Sequence, residues 1–185
     1  MRRRSSLVWF LAAPAVALHA PAPAFAADYL TAEQAQDEMF PGAIFEKREV
    51  ALTPDERRAL EQRLGGPLRD RWVVRVARRG GQVVGALVVD DVIGKFERIT
   101  YAVGVGEDGA VRDVEILTYR ESHGHEVRLP SWRGQFVGKG PSAPLRVGED
   151  ISNISGATLS CRHVTDGVRR IVNVVDALLR RGALG

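Results

Sequence analysis

The stretch Ile154-Ser155-Gly156-Ala157-Thr158-Leu159-Ser160 places small hydroxyl side chains around a glycine, just before the longest amphipathic run of the chain. Read simply, it starts a helix, because a serine or threonine oxygen can accept from an exposed N–H of the first turn. The same groups suit an anion. Unpaired N–H donors and the positive end of the helix dipole favour a phosphate, and small side chains let it approach closely. A hydroxyl at Thr158 could also hold that phosphate covalently. Residue types alone leave both readings open, a cap and a phosphate anchor.

His123, His125 and Glu126 form a second group of potential ligands. Imidazole and carboxylate bind metals, and residues two apart share a face in an extended segment. Three close ligands without a distant fourth make a weak metal signal, and the expected state is a solvated polar loop. Cys161 is the one cysteine, which excludes an internal disulfide and any multi-cysteine metal cluster, and no C-x-x-C-H is present for haem. Its expected role is that of a small buried hydrophobe. His163 is expected inside the first turn of the last helix.

Three familiar patterns fail on context. Residues 104–109 match G-x-G-x-x-G, but a strand follows where a dinucleotide site needs a helix, so a hairpin turn is predicted. Residues 134–140, GQFVGKG, resemble a phosphate loop only loosely, with short spacing and Gly140 where a magnesium-binding hydroxyl belongs. No G-x-S-x-G elbow exists for hydrolase chemistry.

The elements that position these groups follow from pattern. Thr31 with Gln34 opens a short helix from Leu30 to Phe40, stopped by Pro41-Gly42; Thr53 and Pro54 open a second, ended by Gly65-Gly66. Valine-rich runs at 72–77 and 83–89 are joined by Arg79-Gly80-Gly81-Gln82, and runs at 98–105 and 111–117 by Glu107-Asp108-Gly109. Two successive hairpins imply an antiparallel sheet. A long stretch rich in Gly and Pro follows, from Tyr119 to Asp150, with a helical turn predicted around Trp132 to Phe136. Val164, Val168, Ile171, Val172, Val175, Leu178 and Leu179 recur at spacings of three and four, which makes the closing helix amphipathic. The expected class is α+β: two antiparallel hairpins, short N-terminal helices and a C-terminal amphipathic helix.

The chain has 185 residues, 45% of them hydrophobic, enough for one core and one domain. Residues 1–26 read as an export signal: Arg2 to Arg4, an apolar stretch from Leu7 to Leu18 broken by Pro14, and Ala24-Phe25-Ala26 as a cleavage signature. Cleavage there leaves a single domain, residues 27–185, exported and soluble in the periplasm or another extracytoplasmic space. The net charge of +3 then falls to zero, with 23 basic and 23 acidic residues. A nucleic-acid binder would need a basic footprint, and none remains.

Ser155-Gly156-Ala157-Thr158-x-Ser160 resembles the flavinylation motif of the FMN-binding domain found in the flavin subunits of sodium-pumping NADH:quinone reductases and Rnf complexes. Gly94-Lys95-Phe96 to Val105, Val111 to Tyr119, the loop beginning with Glu121, and Trp132-x-x-x-Phe136-x-Gly138-Lys139 are similar to further segments of that family, so the likeness spans roughly 85–179. The resemblance implies that a separate flavin transferase, using FAD and magnesium, joins FMN through its phosphate to Thr158. Ser155, Gly156, Ala157 and Ser160 would be the recognition residues. The loop from Glu121 to Lys139 would wall the isoalloxazine ring, with Trp132 or Tyr119 stacking and His123 or Arg120 near its polar edge. Where family members often carry Glu-Thr-Pro-Gly-Leu-Gly, this chain has Glu121-Ser122-His123-Gly124-His125-Glu126. The implied function is an extracytoplasmic electron carrier with covalent FMN, taking electrons from a membrane reductase or cytochrome and passing them to an extracytoplasmic redox acceptor. The competing expectations are an exported binding or scaffolding domain without a cofactor, and a metal-binding protein using His123, His125 and Glu126.

Overall fold

The computed structural model describes residues 27–185; the expected export signal, residues 1–26, lies outside them. The elements run β1 (Ala27–Asp28), α1 (Ala32–Met39), β2 (Ile44–Ala51), α2 (Pro54–Leu64), β3 (Arg71–Arg79), β4 (Gln82–Ile93), β5 (Arg98–Gly106), β6 (Val111–Tyr119), α3 (Pro130–Arg133) and α4 (Thr158–Arg180). Single 3₁₀ turns flank α3 at His125–Arg128 and Gly134–Phe136.

Thr31 and Thr53 cap their helices as the sequence implies, and each does so in a capping box. Thr31 accepts from Gln34 N while Gln34 accepts from Thr31 N, and Thr53 and Glu56 do the same at α2. The strands form one antiparallel sheet in the order β1-β6-β5-β4-β3-β2. The two expected hairpins make its centre, and 104–109 is indeed a hairpin turn, closed by Gly109 N donating to Gly106 O at 3.0 Å. The fold is α+β.

The sheet is wider than two hairpins. β2 pairs along its whole length with β3, from Ile44 opposite Arg78 to Ala51 opposite Arg71. Its sequence, IFEKREVA, carries four charged residues in eight, so its hydrophobic alternation is weak. An edge strand needs less apolar surface, and charge there discourages pairing with another chain.

Inward-facing residues, among them Val74, Val76, Ala86, Val88, Tyr101 and Val103, pack against the apolar stripe of α4. On the opposite face, Ala35, Met39 and Phe40 bring α1 onto Ala77, Leu87, Ala102 and Leu117. The sheet is therefore covered on both sides, and α4 is fixed along its length. Gly167 marks its closest approach: a Cβ there would overlap the Tyr101 hydroxyl and lie 2.7 Å from Tyr101 Cζ. A mid-helix glycine costs about 1 kcal/mol relative to alanine, so here it is retained for packing. Gly167→Ala is expected to lose stability by about 1–3 kcal/mol through overpacking, read as a lower urea midpoint at unchanged slope. A gain in stability would show that the helix has room to move off the sheet.

The segment after α3 returns to the sheet and then to α4. Leu145, fully buried, has φ +46, a left-handed conformation that an L side chain disfavours. Asp150 holds it there, accepting from Leu145 N at 3.2 Å and Arg146 N at 2.8 Å and pairing with Lys139 Nζ at 3.0 Å. Burial alone would raise the Asp150 pKa, but those backbone donors and the Lys139 ammonium outweigh it and hold the carboxyl below its ordinary value. A depressed carboxylate stabilises the fold above its unfolded-state pKa and loses that contribution as pH falls through its folded value. Asp150→Asn should cost about 1–3 kcal/mol at neutral pH, from charge-assisted bonds weakened or lost. The gap to wild type should close in urea titrations carried below the ordinary carboxylate range, and a gap constant down to acid pH would refute the assignment.

Candidate functional site: a cleft at the start of the last helix

The hydroxyl cap expected at the start of α4 is not formed. The N-cap is Ala157, at φ −126 and ψ 25, and no side chain caps the helix. Thr158 is already the first helical residue. The turn before it places Gly156 at φ +81 and closes with Ala157 N donating to Ile154 O at 3.0 Å, so Ser155 falls two residues too early to cap. The N–H groups of the first turn thus keep no side-chain acceptor. Thr158 Oγ1 instead accepts from Asn153 Nδ2 at 3.1 Å. An amide donor fixes the hydroxyl oxygen without taking its proton.

These atoms open on a cleft of about 360 Å³, lined by Lys95, Phe96, Glu121, Ser122 and His123 on one side and by residues 156–160 on the other. The size lies at the lower end for small-molecule sites. Three contacts hold the walls together. Tyr119 hydroxyl donates to His123 O at 2.5 Å and lies 3.4 Å from Ser160 Oγ, tying the loop after β6 to the helix. Burial raises the Tyr119 pKa despite the Ser160 hydroxyl, so the phenol stays a donor. Gly124, at φ +82, packs directly on Ala157. Glu121, 5% exposed, accepts from Phe96 N at 2.6 Å and Glu97 N at 3.0 Å, which joins the same loop to the β4–β5 turn.

The structure therefore brings Gly156, Ala157, Thr158, Ser160, Glu121 and His123 together around one cleft. Ser155 is exposed beside this lining. Trp132 stands elsewhere: it is 4% exposed, packs edge-on against Phe136 at 5.1 Å, and donates through Nε1 to Ser152 O at 2.8 Å. Together with Gln135, whose side chain accepts from Ser152 N at 2.8 Å, it straps down the strand-like approach to the motif. Its place in the core follows from the helical turn at Pro130–Arg133, which faces Trp132 inward, and from Arg133, which pairs with Glu115 and anchors that turn to β6.

His123, His125 and Glu126 do not assemble as ligands. No group of three or more such side chains able to hold a metal exists among the described residues. His123 Nδ1 lies 2.9 Å from Ser122 Oγ, whereas His125 sits edge-on to the Tyr119 ring at 5.3 Å, because the 3₁₀ turn beginning at His125 breaks the extended geometry that would align them. His163 falls in the second turn of α4, not the first, with Nδ1 at 2.5 Å from Ile93 O. Cys161 is fully buried, and burial pushes its thiol pKa up, the state of an inert packing residue. In the GQFVGKG stretch, Gly138 N donates to Val111 O and Lys139 O accepts from Val111 N, so its backbone extends the sheet edge.

Four lining or supporting residues carry too weak a signal to be assigned a role from sequence: Lys95, Phe96, Asn153 and Leu159. Phe96 is 72% exposed and Leu159 42% exposed, with Lys95 Nζ 4.9 Å from the Phe96 ring. The available signal is a lone aromatic in a hairpin turn, a place that leaves a large ring little to pack against.

The site fits a flavin phosphate on its own chemistry: an uncapped helix start, a fixed hydroxyl, a lysine at the rim and an exposed aromatic beside them. Residues 94–173 match the family model of the FMN-binding domain. A component of the proton-translocating ferredoxin:NAD(+) oxidoreductase complex of Clostridium ljungdahlii is 33% identical over 107 residues, 54% of this chain and 57% of that protein. The chain thus spans little more than half the length of this curated relative. The crystal structure of Shewanella oneidensis NqrC is similar in fold, with a TM-score of 0.51 at 16% identity over 87% of this chain and 83% of that one. Among the described residues no helix is long and apolar enough to cross a membrane. Every residue lining the cleft lies within residues 94–173, the segment that matches the FMN-binding domain model.

Proposed function

We propose that the chain is an extracytoplasmic electron-transfer flavoprotein that carries FMN covalently on Thr158. The observation that supports this best is the position of Thr158 Oγ1, held by Asn153 at an uncapped helix start that opens on the cleft. Thr158 Oγ1 would form a bond to the FMN-side phosphorus of FAD while the pyrophosphate bond breaks. AMP leaves, and the hydroxyl proton goes with it. Asn153 donates to that oxygen and its neutral amide is no base, so the base and the magnesium would belong to the separate flavin transferase.

Once attached, the phosphodiester keeps one negative charge. The first turn of α4 would favour it by about 0.3–1 kcal/mol. That is small beside a covalent bond, so the bond retains the cofactor and the helix orients its phosphate. Lys95 adds a cation at the rim, and Phe96 and Leu159 offer apolar surface to the ring. Bound FMN supplies reversible one- and two-electron chemistry. The named relative is part of a redox complex, which supports a membrane reductase or cytochrome as donor and an extracytoplasmic redox protein as acceptor.

The test is the intact mass of the full chain expressed in a host with an exported flavin transferase. Loss of residues 1–26 and a gain of one FMN less one water are expected. A mature chain of unaltered mass would sink the proposal and leave a binding or scaffolding domain.

A further inference from the structure

Phe96 sits in a tight turn with most of its ring in water, and a free hairpin turn would not hold it in one place. What fixes it is remote in sequence. The turn closes on itself through Gly94 N donating to Glu97 O at 2.8 Å, and its last two amides, Phe96 N and Glu97 N, both donate to one oxygen of Glu121. Glu121 is 5% exposed, and these backbone donors are the hydrogen-bond partners its side chain has. Gly94 completes the joint. A Cβ at that position would stand 2.5 Å from Glu121 Oε1 and 3.1 Å from Glu121 Cγ, so the carboxylate reaches the turn only because position 94 has no side chain. The φ of Gly94 is not positive, so the backbone itself would accept another residue.

We propose that Glu121 is a positioning residue for the aromatic wall of the cleft. Its buried carboxylate clamps the 94–97 turn so that Phe96 stands ready to stack on a planar ring, and it acts through that turn, not through contact with the ligand. The idea rests on the flavoprotein reading for the identity of the ring, but the clamp exists in the unloaded chain. A carboxylate suits this task because it accepts two N–H bonds at once, and charge-assisted bonds are roughly twice as strong as neutral ones. Holding the wall in advance removes an ordering cost that the cofactor would otherwise meet on docking.

The first measurement needs no flavin. In the unloaded full chain, amide hydrogen exchange at Phe96 and Glu97 should be about tenfold faster or more in Glu121→Gln, since each charged bond lost or weakened is worth at least that factor. Exchange at Val103, in the centre of β5, should be unchanged. Gly94→Ala should reproduce the effect by displacing the carboxylate while leaving Glu121 in place. Unchanged protection in both variants would overturn the clamp.

The second measurement uses the flavin-loaded chain and iodide quenching of flavin fluorescence, in a double-mutant cycle with Phe96→Ala. Glu121→Gln should raise the quenching constant in the wild-type background and leave it unchanged when Phe96 is already alanine. An equal rise in both backgrounds would mean that Glu121 acts directly on the ring, which also overturns the proposal. If no loaded protein can be made, the flavoprotein reading fails by itself, and the exchange measurement still decides the clamp.

Discussion

Thr158→Ala is expected to abolish retained flavin: yellow fluorescence on a denaturing gel should vanish, and the mass should return to that of the unmodified mature chain. No neighbouring hydroxyl can replace it. Ser155 is exposed outside the cleft lining, and Ser160 is 2% exposed beside the Tyr119 hydroxyl, where a transferase cannot reach it. The fold should survive the change. Had Thr158 capped α4, its loss would cost about 0.5–2 kcal/mol. The cap is Ala157, and the Thr158 hydroxyl makes one exposed bond to Asn153, so the urea midpoint should move by less than that range. Thr158→Ser keeps the nucleophilic oxygen at the same position and should restore labelling. Flavin retained on the alanine variant after denaturation would place the attachment elsewhere and remove the foundation of the proposed function.

The second large effect is expected from Gly124→Ala, well away from the modified atom in sequence. Gly124 has φ +82, which costs an L residue about 1–2 kcal/mol. The added methyl would also overlap Ala157 Cβ and approach the Tyr119 hydroxyl at 2.8 Å, and overpacking of this kind costs a further 1–3 kcal/mol or so. The loop must then lift off the start of α4, carrying His123 away from the cleft. Denaturation should therefore show a clear drop in stability, accompanied by a lower yield of flavinylated chain. Gly138→Ala provides the control: φ is +76, but nothing lies within 4 Å of the new methyl, so it bears the backbone strain alone. Equal losses in the two variants would show that the Gly124–Ala157 contact carries no weight.

The interior of this protein is legible because its signals are local. The capping boxes at Thr31 and Thr53, the two glycine-rich hairpin turns and the periodicity of α4 each specify their element within a few residues of chain. β2 is hidden for the opposite reason. Four of its eight residues are charged, and only its pairing with β3 makes it a strand. The expected stacking role of Trp132 fails on similar grounds, since an aromatic near a cofactor motif can stack or pack. A helical turn anchored by Arg133 decides for packing.

By itself the sequence determined the α+β class, the helix that closes the chain and the threonine at its start, because residue identity and short-range periodicity carry that information. The tertiary structure decided what surrounds that threonine. Asn153 reaches its oxygen across a glycine turn, Gly124 lets a loop more than thirty residues upstream touch the residue before it, and Glu121 brings a hairpin turn across as the opposite wall. Contacts of that kind depend on how distant segments pack, and no local pattern of residues encodes them.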